Sequence, residues 1–95
     1  MDKKQAYQEK LQAQLDEWSA KIDVLKAKAA KAEAATKADY EETIEDLQEK
    51  RQAAKDKLEE LGAAGDDAWQ DMKEGIEAAW SSLGAAIKAA SSRFK

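Results

Sequence analysis

The segment LGAAGDD, residues 61–67, is the strongest interruption in this sequence and decides how its helices are arranged. Gly62 can adopt the left-handed conformation that ends a helix, and Asp66 can cap the helix that follows. Because the 95 residues include only four Gly and no Pro, few other positions interrupt a helix. The segment therefore predicts a tight turn between two helices.

Upstream of this turn, a stripe of mainly apolar side chains, which also includes Thr36 and Arg51, recurs every three or four residues from Tyr7 to Leu61. At 3.6 residues per turn this interval is about 15 turns, so the apolar face keeps its phase along a straight helix. Residues 32–39 (AEAATKAD) are the weakest part, because Thr36 and Asp39 have the spacing of a capping box. Since the phase is not reset there, we predict one long helix over about residues 2–61. The alternative is a break near Thr36, which gives a monomeric three-helix bundle.

Downstream of the turn, a second helix is predicted over about residues 66–94, antiparallel to the first. Its larger side chains share one narrow face: Trp69, Met72, Ile76, Trp80, Leu83, Ile87 and Phe94. One flank carries small residues that predict close approach of a neighbouring backbone, namely Ala68, Gly75, Ala79 and Ala86. A turn at 62–65 sets Tyr40 opposite Ile87 and Asp39 opposite Lys88. The predicted class is all-α, a helical hairpin or coiled coil that assembles into a bundle.

Residues 1–95 are predicted to form a single helical domain with an arm over 1–33 and a hairpin over 34–95. The second helix reaches only to about residue 33 of the first, so the apolar stripe of the arm has no cover within one long-helix chain. An uncovered stripe of this size favours association. We therefore expect an antiparallel homodimer, whose interface is formed by Tyr7, Leu11, Leu15, Trp18, Ile22 and Leu25.

The residue types present limit the chemistry that the chain can perform. With no Cys and no His, thiolate nucleophiles, imidazole bases and zinc-finger sites are excluded. Acidic residues are concentrated between Asp39 and Glu49, but no loop or Gly shapes them into a calcium site. Paired carboxylates such as Glu59 and Glu60 lack a pocket that would shift one pKa for acid–base work. We expect no enzyme activity, no metal site and no cofactor.

The charge and hydropathy of the sequence indicate which partners the protein can bind and where in the cell it is found. The net charge is −4, with 16 basic and 20 acidic residues mixed along the chain, so no basic field favours nucleic acid. No stretch approaches the length of a membrane span, and the first residues lack a signal-peptide pattern, so we expect a cytoplasmic protein. The amphipathic second helix leaves one alternative, reversible binding to a lipid surface.

Two segments carry a resemblance to known proteins. The opening KKQAYQEKLQAQLDEW and the closing KLEELGAAGDDAWQDMKEGIEAAWSSLGAAIKAASSRFK resemble small bacterial coiled-coil proteins labelled stress-induced or hypothetical. This resemblance implies a soluble, cytosolic helical protein made under stress, and it brings no catalytic motif. The leading hypothesis is a non-enzymatic structural or interaction protein that associates with itself or with another protein.

Overall fold

The computed structural model describes residues 3–65 and 67–94, which form three α-helices. They are α1 (Lys3–Lys31), α2 (Ala34–Ala63) and α3 (Ala68–Arg93). The chain runs up, down and up again, so α2 is antiparallel to both of its neighbours and the bundle measures 51 × 20 × 19 Å. The prediction of an all-α bundle with an antiparallel last helix is confirmed. Asp2 and Asp66, predicted to begin the two helices, lie outside the described residues.

The structure corrects the prediction of one continuous helix over residues 2–61. The helix ends at Lys31, Ala32 and Glu33 are not helical, and α2 begins at Ala34. Glu33 has extended backbone angles and makes no side-chain capping bond. The break lies three residues before Thr36, which is exposed. A break loses a few helical hydrogen bonds, whereas a straight helix leaves the whole apolar stripe of the arm in water, so folding back is favoured.

The second turn also differs in detail from the prediction. Gly62 lies inside α2, and no described residue has a positive φ, so the left-handed helix end predicted there does not form. Instead α2 continues to Ala63, where the amide of Ala64 donates to the Leu61 carbonyl at 3.2 Å. The next helix begins after Asp67, and the Trp69 amide donates to the Gly65 carbonyl at 3.3 Å. The turn therefore lies two residues later than the sequence indicates, with the same length of four residues.

This later turn shifts the register of α3 against α2. The Tyr40 ring stacks on Phe94, with centroids 4.0 Å apart, and Asp39 lies 3.8 Å from Arg93. The predicted partners of these two residues were Ile87 and Lys88, so α3 is displaced by five to seven residues. Because α2 ends and α3 begins about two residues later than expected, each α2 residue meets a residue further along α3.

One core joins the three helices. Its eighteen buried apolar residues all lie on the two predicted stripes: Leu11, Leu15, Ile22, Leu25, Ala29, Tyr40, Ile44, Leu47, Ala54, Leu58, Leu61, Trp69, Ile76, Trp80, Leu83, Ile87, Ala90 and Phe94. No charged or polar residue is buried in the described part of the chain. The periodicity of the sequence therefore identifies the buried positions correctly, because a helical face has a fixed period.

Candidate interaction surfaces

The six residues predicted as a dimer interface lie within the chain's own bundle. Leu11, Leu15, Ile22 and Leu25 are at most 5% exposed, and Tyr7 and Trp18 pack against the same core as half-buried residues. The premise of the predicted interface, that nothing within one chain covers the arm, is therefore corrected: α2 and α3 cover it. The homodimer itself stays a prediction and needs a different surface in this closed form.

Two lysines of α1 donate hydrogen bonds to carbonyls at the C-terminal ends of α2 and α3. The Lys4 ammonium donates to the carbonyls of Gly62 (3.2 Å) and Ala64 (2.6 Å) at the end of α2. At the opposite end of the bundle, Lys28 donates to the carbonyl of Phe94 at 3.1 Å. Both contacts satisfy carbonyls that have no helical partner, and a positive charge is favourable at a helix C-terminus. The sequence does not reveal these roles, because they depend on which helix ends lie beside α1.

The core contacts of the tryptophans fix α3 against α1. The indole N–H of Trp80 donates to the Leu11 carbonyl at 3.3 Å, which satisfies a polar group inside the core. The Trp18 ring lies over Gly84, where a Cβ atom would come within 3.0 Å of the ring. The close approach predicted at Gly75 is corrected, because a Cβ there would meet nothing within 4 Å. Helix α1 thus contacts the flank of α3 that carries Gly84.

An aromatic cluster lies at the end of the bundle where α1 and α3 begin. Tyr7 and Trp69 have ring centroids 5.8 Å apart, and the Lys73 ammonium lies 4.6 Å from the Trp69 centroid. The Tyr7 hydroxyl is buried without a hydrogen-bond partner. Burial raises the pKa of Tyr7 above its ordinary value, and the negative charge of Glu77 raises this pKa further. Tyr7 is therefore a neutral packing residue at physiological pH.

The acidic run on α2 is a surface feature. Its six carboxylates are all exposed: Asp39, Glu41, Glu42, Glu45, Asp46 and Glu49. Among residues 3–65 and 67–94, no group of three or more potential ligands comes together around a metal-sized space. Asp46 instead binds Lys50 at 2.8 Å, one turn along the same helix. Glu59 and Glu60 are likewise exposed, and Asp66 is outside the described residues.

Two recesses lie along the outer groove between α1 and α2. One, of about 220 Å³, is lined by Gln12, Leu15, Asp16, Ser19, Arg51 and Lys55. The other, of about 340 Å³, is lined by Lys26, Ala29, Ala30, Lys37, Glu41, Ile44, Glu45 and Gln48. Both have small or aliphatic residues at the floor and charged residues of both signs at the rim. Sequence reasoning missed this groove, although the charge order along α2 could have indicated it.

Among residues 3–65 and 67–94, the large apolar residue that is exposed is Val24, at 54%. It lines a shallow recess of about 150 Å³ together with Lys21, Leu25, Lys28 and Ser91. A single exposed aliphatic side chain is normal for a protein surface and does not define an interface. The α1–α2 groove is therefore the stronger candidate for an interaction surface.

Comparison with known proteins adds no assignment, since no family model, curated protein or solved structure matches this chain. What the structure establishes is a small all-helical protein. In the described ranges, none of the three helices combines the length and apolar character required to cross a bilayer.

Proposed function

We propose that this chain is a non-catalytic structural and interaction protein of the cytoplasm, which associates with further copies of itself or with another protein. The observation that carries the proposal is the outer groove between α1 and α2. Its floor is formed by Leu15, Ala29 and Ile44, which are each at most 8% exposed, and its rim holds charges of both signs. A recess of this kind suits contact with another helix, because the rim charges select the orientation of the partner.

The environment of Tyr7 supports a non-catalytic role. Burial raises the pKa of Tyr7, and its ring packs in the aromatic cluster with Trp69. These are the contacts of a packing residue that stabilises the bundle.

A role in stress is a further part of the proposal and rests on the resemblance of both ends of the sequence to small bacterial coiled-coil proteins labelled stress-induced or hypothetical. A closed bundle with an apolar core is a suitable scaffold for such a role. The matching measurement is the amount of the protein in its native cell before and after osmotic, oxidative and heat stress.

Lipid-surface binding is the second candidate, because α3 is the most apolar of the three helices. Six of its larger side chains lie on a single face: Trp69, Ile76, Trp80, Leu83, Ile87 and, just after the helix, Phe94. In the closed bundle this face is buried against α1 and α2, so lipid binding requires α3 to separate from them. The structural role needs no such opening and is therefore preferred.

Sedimentation velocity tests the leading proposal. Over about a hundredfold range of protein concentration, the average mass is expected to rise above the 10.5 kDa of the single chain, because self-association is governed by mass action. Circular dichroism on the same samples checks that the helices persist. A constant mass of 10.5 kDa across that range would contradict self-association and leave only a different protein as partner.

A further inference from the structure

Along the groove with α1, helix α2 carries a stripe of polar residues with a symmetrical spacing. The stripe runs along the groove with steps of four, four, three, three, four and four residues: Lys37, Glu41, Glu45, Gln48, Arg51, Lys55 and Glu59. All seven are exposed except Gln48 and Arg51, which are half-buried. Six of them, all but Glu59, line the two recesses. We call this set the charged stripe.

The charges on the stripe reverse sign about its centre. Arg51 and Glu45 lie three residues to either side of Gln48 and have opposite charges. Lys55 and Glu41 lie seven residues to either side, again with opposite charges. Glu59 and Lys37 lie eleven residues to either side of Gln48 and also have opposite charges. A second α2 laid antiparallel across Gln48 would therefore bring a residue of opposite charge to the same level along the helix as each charged position.

Within one chain the same order places like charges side by side. Glu41 and Glu45 are four residues apart on the helix, and so are Arg51 and Lys55. Like charges at this spacing destabilise an isolated helix. In the described part of the chain, none of these four residues forms an ion pair within 4.0 Å. An antiparallel copy would add opposite charges near both pairs and so offset the two intrachain repulsions.

From this order we propose that the α1–α2 face is the docking surface for a second copy of this chain, with the two α2 helices antiparallel about a two-fold axis at Gln48. The inference deepens the proposed self-association and rests on it. The resulting contact is isologous, since each copy presents the same surface to the other. On α1, the same axis brings Asp16 near Lys26 of the second copy.

The size of the face fits a weak and reversible dimer. From Lys37 to Glu59 the stripe is about 33 Å long at 1.5 Å per residue. The bundle is 20 Å wide, so the flat area is about 650 Å² per copy, somewhat below the roughly 800 Å² per partner of a standard interface. The floor residues Leu15, Ala29 and Ile44 expose little area, so the charged rim supplies most of the contact and sets its orientation. Because the rim pairs stay near solvent, added salt is expected to weaken the dimer.

Charge reversal with compensation tests this geometry. Two double variants are made, Arg51→Glu with Lys55→Glu, and Glu41→Lys with Glu45→Lys. Each alone is expected to raise the dissociation constant about tenfold or more, because like charges then face each other across the axis. An equimolar mixture of the two variants is expected to form heterodimers, and one chain carrying all four substitutions is expected to regain the wild-type dissociation constant.

The matched control is the double variant Glu42→Lys with Glu49→Lys. It changes the net charge as much as reversal at Glu41 and Glu45, and both of its positions are exposed on α2 but outside the stripe. The control is expected to leave the dissociation constant unchanged. Thermal unfolding is measured in parallel, because Arg51 and Asp16 also share a recess within one chain. A lower melting temperature with an unchanged dissociation constant would assign the stripe to hairpin stability and overturn the proposal.

The outcomes separate the inference from the proposed function. If the wild-type chain stays monomeric at every concentration, both the self-association and this interface are wrong. If the wild type associates but the stripe variants do so equally well, or if the mixture and the fourfold variant fail to restore association, the interface is wrong while self-association stands.

Discussion

At the scale of single residues, two glycines of α3 differ in the space around them. A Cβ atom at Gly75 would meet nothing within 4 Å, whereas one at Gly84 would lie 3.0 Å from Cζ2 of Trp18. Gly75→Ala is therefore expected to raise the free energy of unfolding by about 0.5–1 kcal/mol, the usual gain from replacing glycine within a helix. Gly84→Ala has the same helical gain, but the Trp18 ring must move to make room, which offsets it.

Urea unfolding of the two variants measures this difference, with the tryptophan emission of the folded state as a second readout. Gly84→Ala is expected to be less stable than Gly75→Ala by about 1 kcal/mol and to change the Trp18 environment. Equal stabilisation by both substitutions, with unchanged emission, would show that Trp18 does not pack closely on α3.

At the scale of elements, the connection between α1 and α2 consists of only Ala32 and Glu33. Neither residue has a special turn conformation, and no described residue has a positive φ. The packing of α1 on α2, rather than the chemistry of the turn, therefore holds the hairpin closed. Inserting Gly-Gly between Ala32 and Glu33 is expected to lower the free energy of unfolding by only about 0.6 kcal/mol, because doubling a short loop costs little.

The control for this element is the same insertion between Ala20 and Lys21, inside α1. There it rotates Ile22 and Leu25 by about 200° relative to Leu11 and Leu15, and it is expected to lower the free energy of unfolding by several kcal/mol through lost burial. Circular dichroism during thermal unfolding compares the two variants. A loop insertion as damaging as the helix insertion would mean that the short turn itself stabilises the bundle.

At the scale of the whole molecule, the burial of the apolar face of α3 and the net charge of the chain determine whether α3 can bind lipid. Its apolar face is buried with α1 and α2, and the chain carries a net charge of −4. Basic residues near an anionic membrane normally contribute about 1 kcal/mol each, and a net negative chain has no such excess. The full chain is therefore expected to show no blue shift of tryptophan emission when anionic vesicles are added at physiological salt.

A peptide of residues 68–94 provides the comparison, since it exposes the face that the bundle covers and is expected to bind the same vesicles. Zwitterionic vesicles separate the apolar contribution from the electrostatic one. A clear blue shift from the full chain would show that α3 opens onto lipid and would place lipid-surface binding ahead of the structural role.

The sequence by itself determined the helical class and the identity of the buried positions. Alanine-rich segments without Pro favour helix, and the side chains that recur at helical spacing are the ones found in the core, from Leu11 to Phe94. These properties follow from local propensity and from a fixed helical period, so no long-range contact is needed to predict them. The antiparallel direction of α3 was also predicted from the sequence, which placed a short turn at 62–65, whereas the structure has it at 64–67.

Only the tertiary structure decided where α1 ends, which chain covers its stripe and how α3 is aligned. Near Ala32 the local preference is for helix, and the competing term is the burial of Leu11, Leu15, Ile22 and Leu25 against distant residues. That burial outweighs the few hydrogen bonds lost at the break, so the arm folds back on its own chain. In the same way, the contact of Trp18 with Gly84 and the displaced stacking of Tyr40 on Phe94 depend on where the helices end in space, which local spacing does not specify.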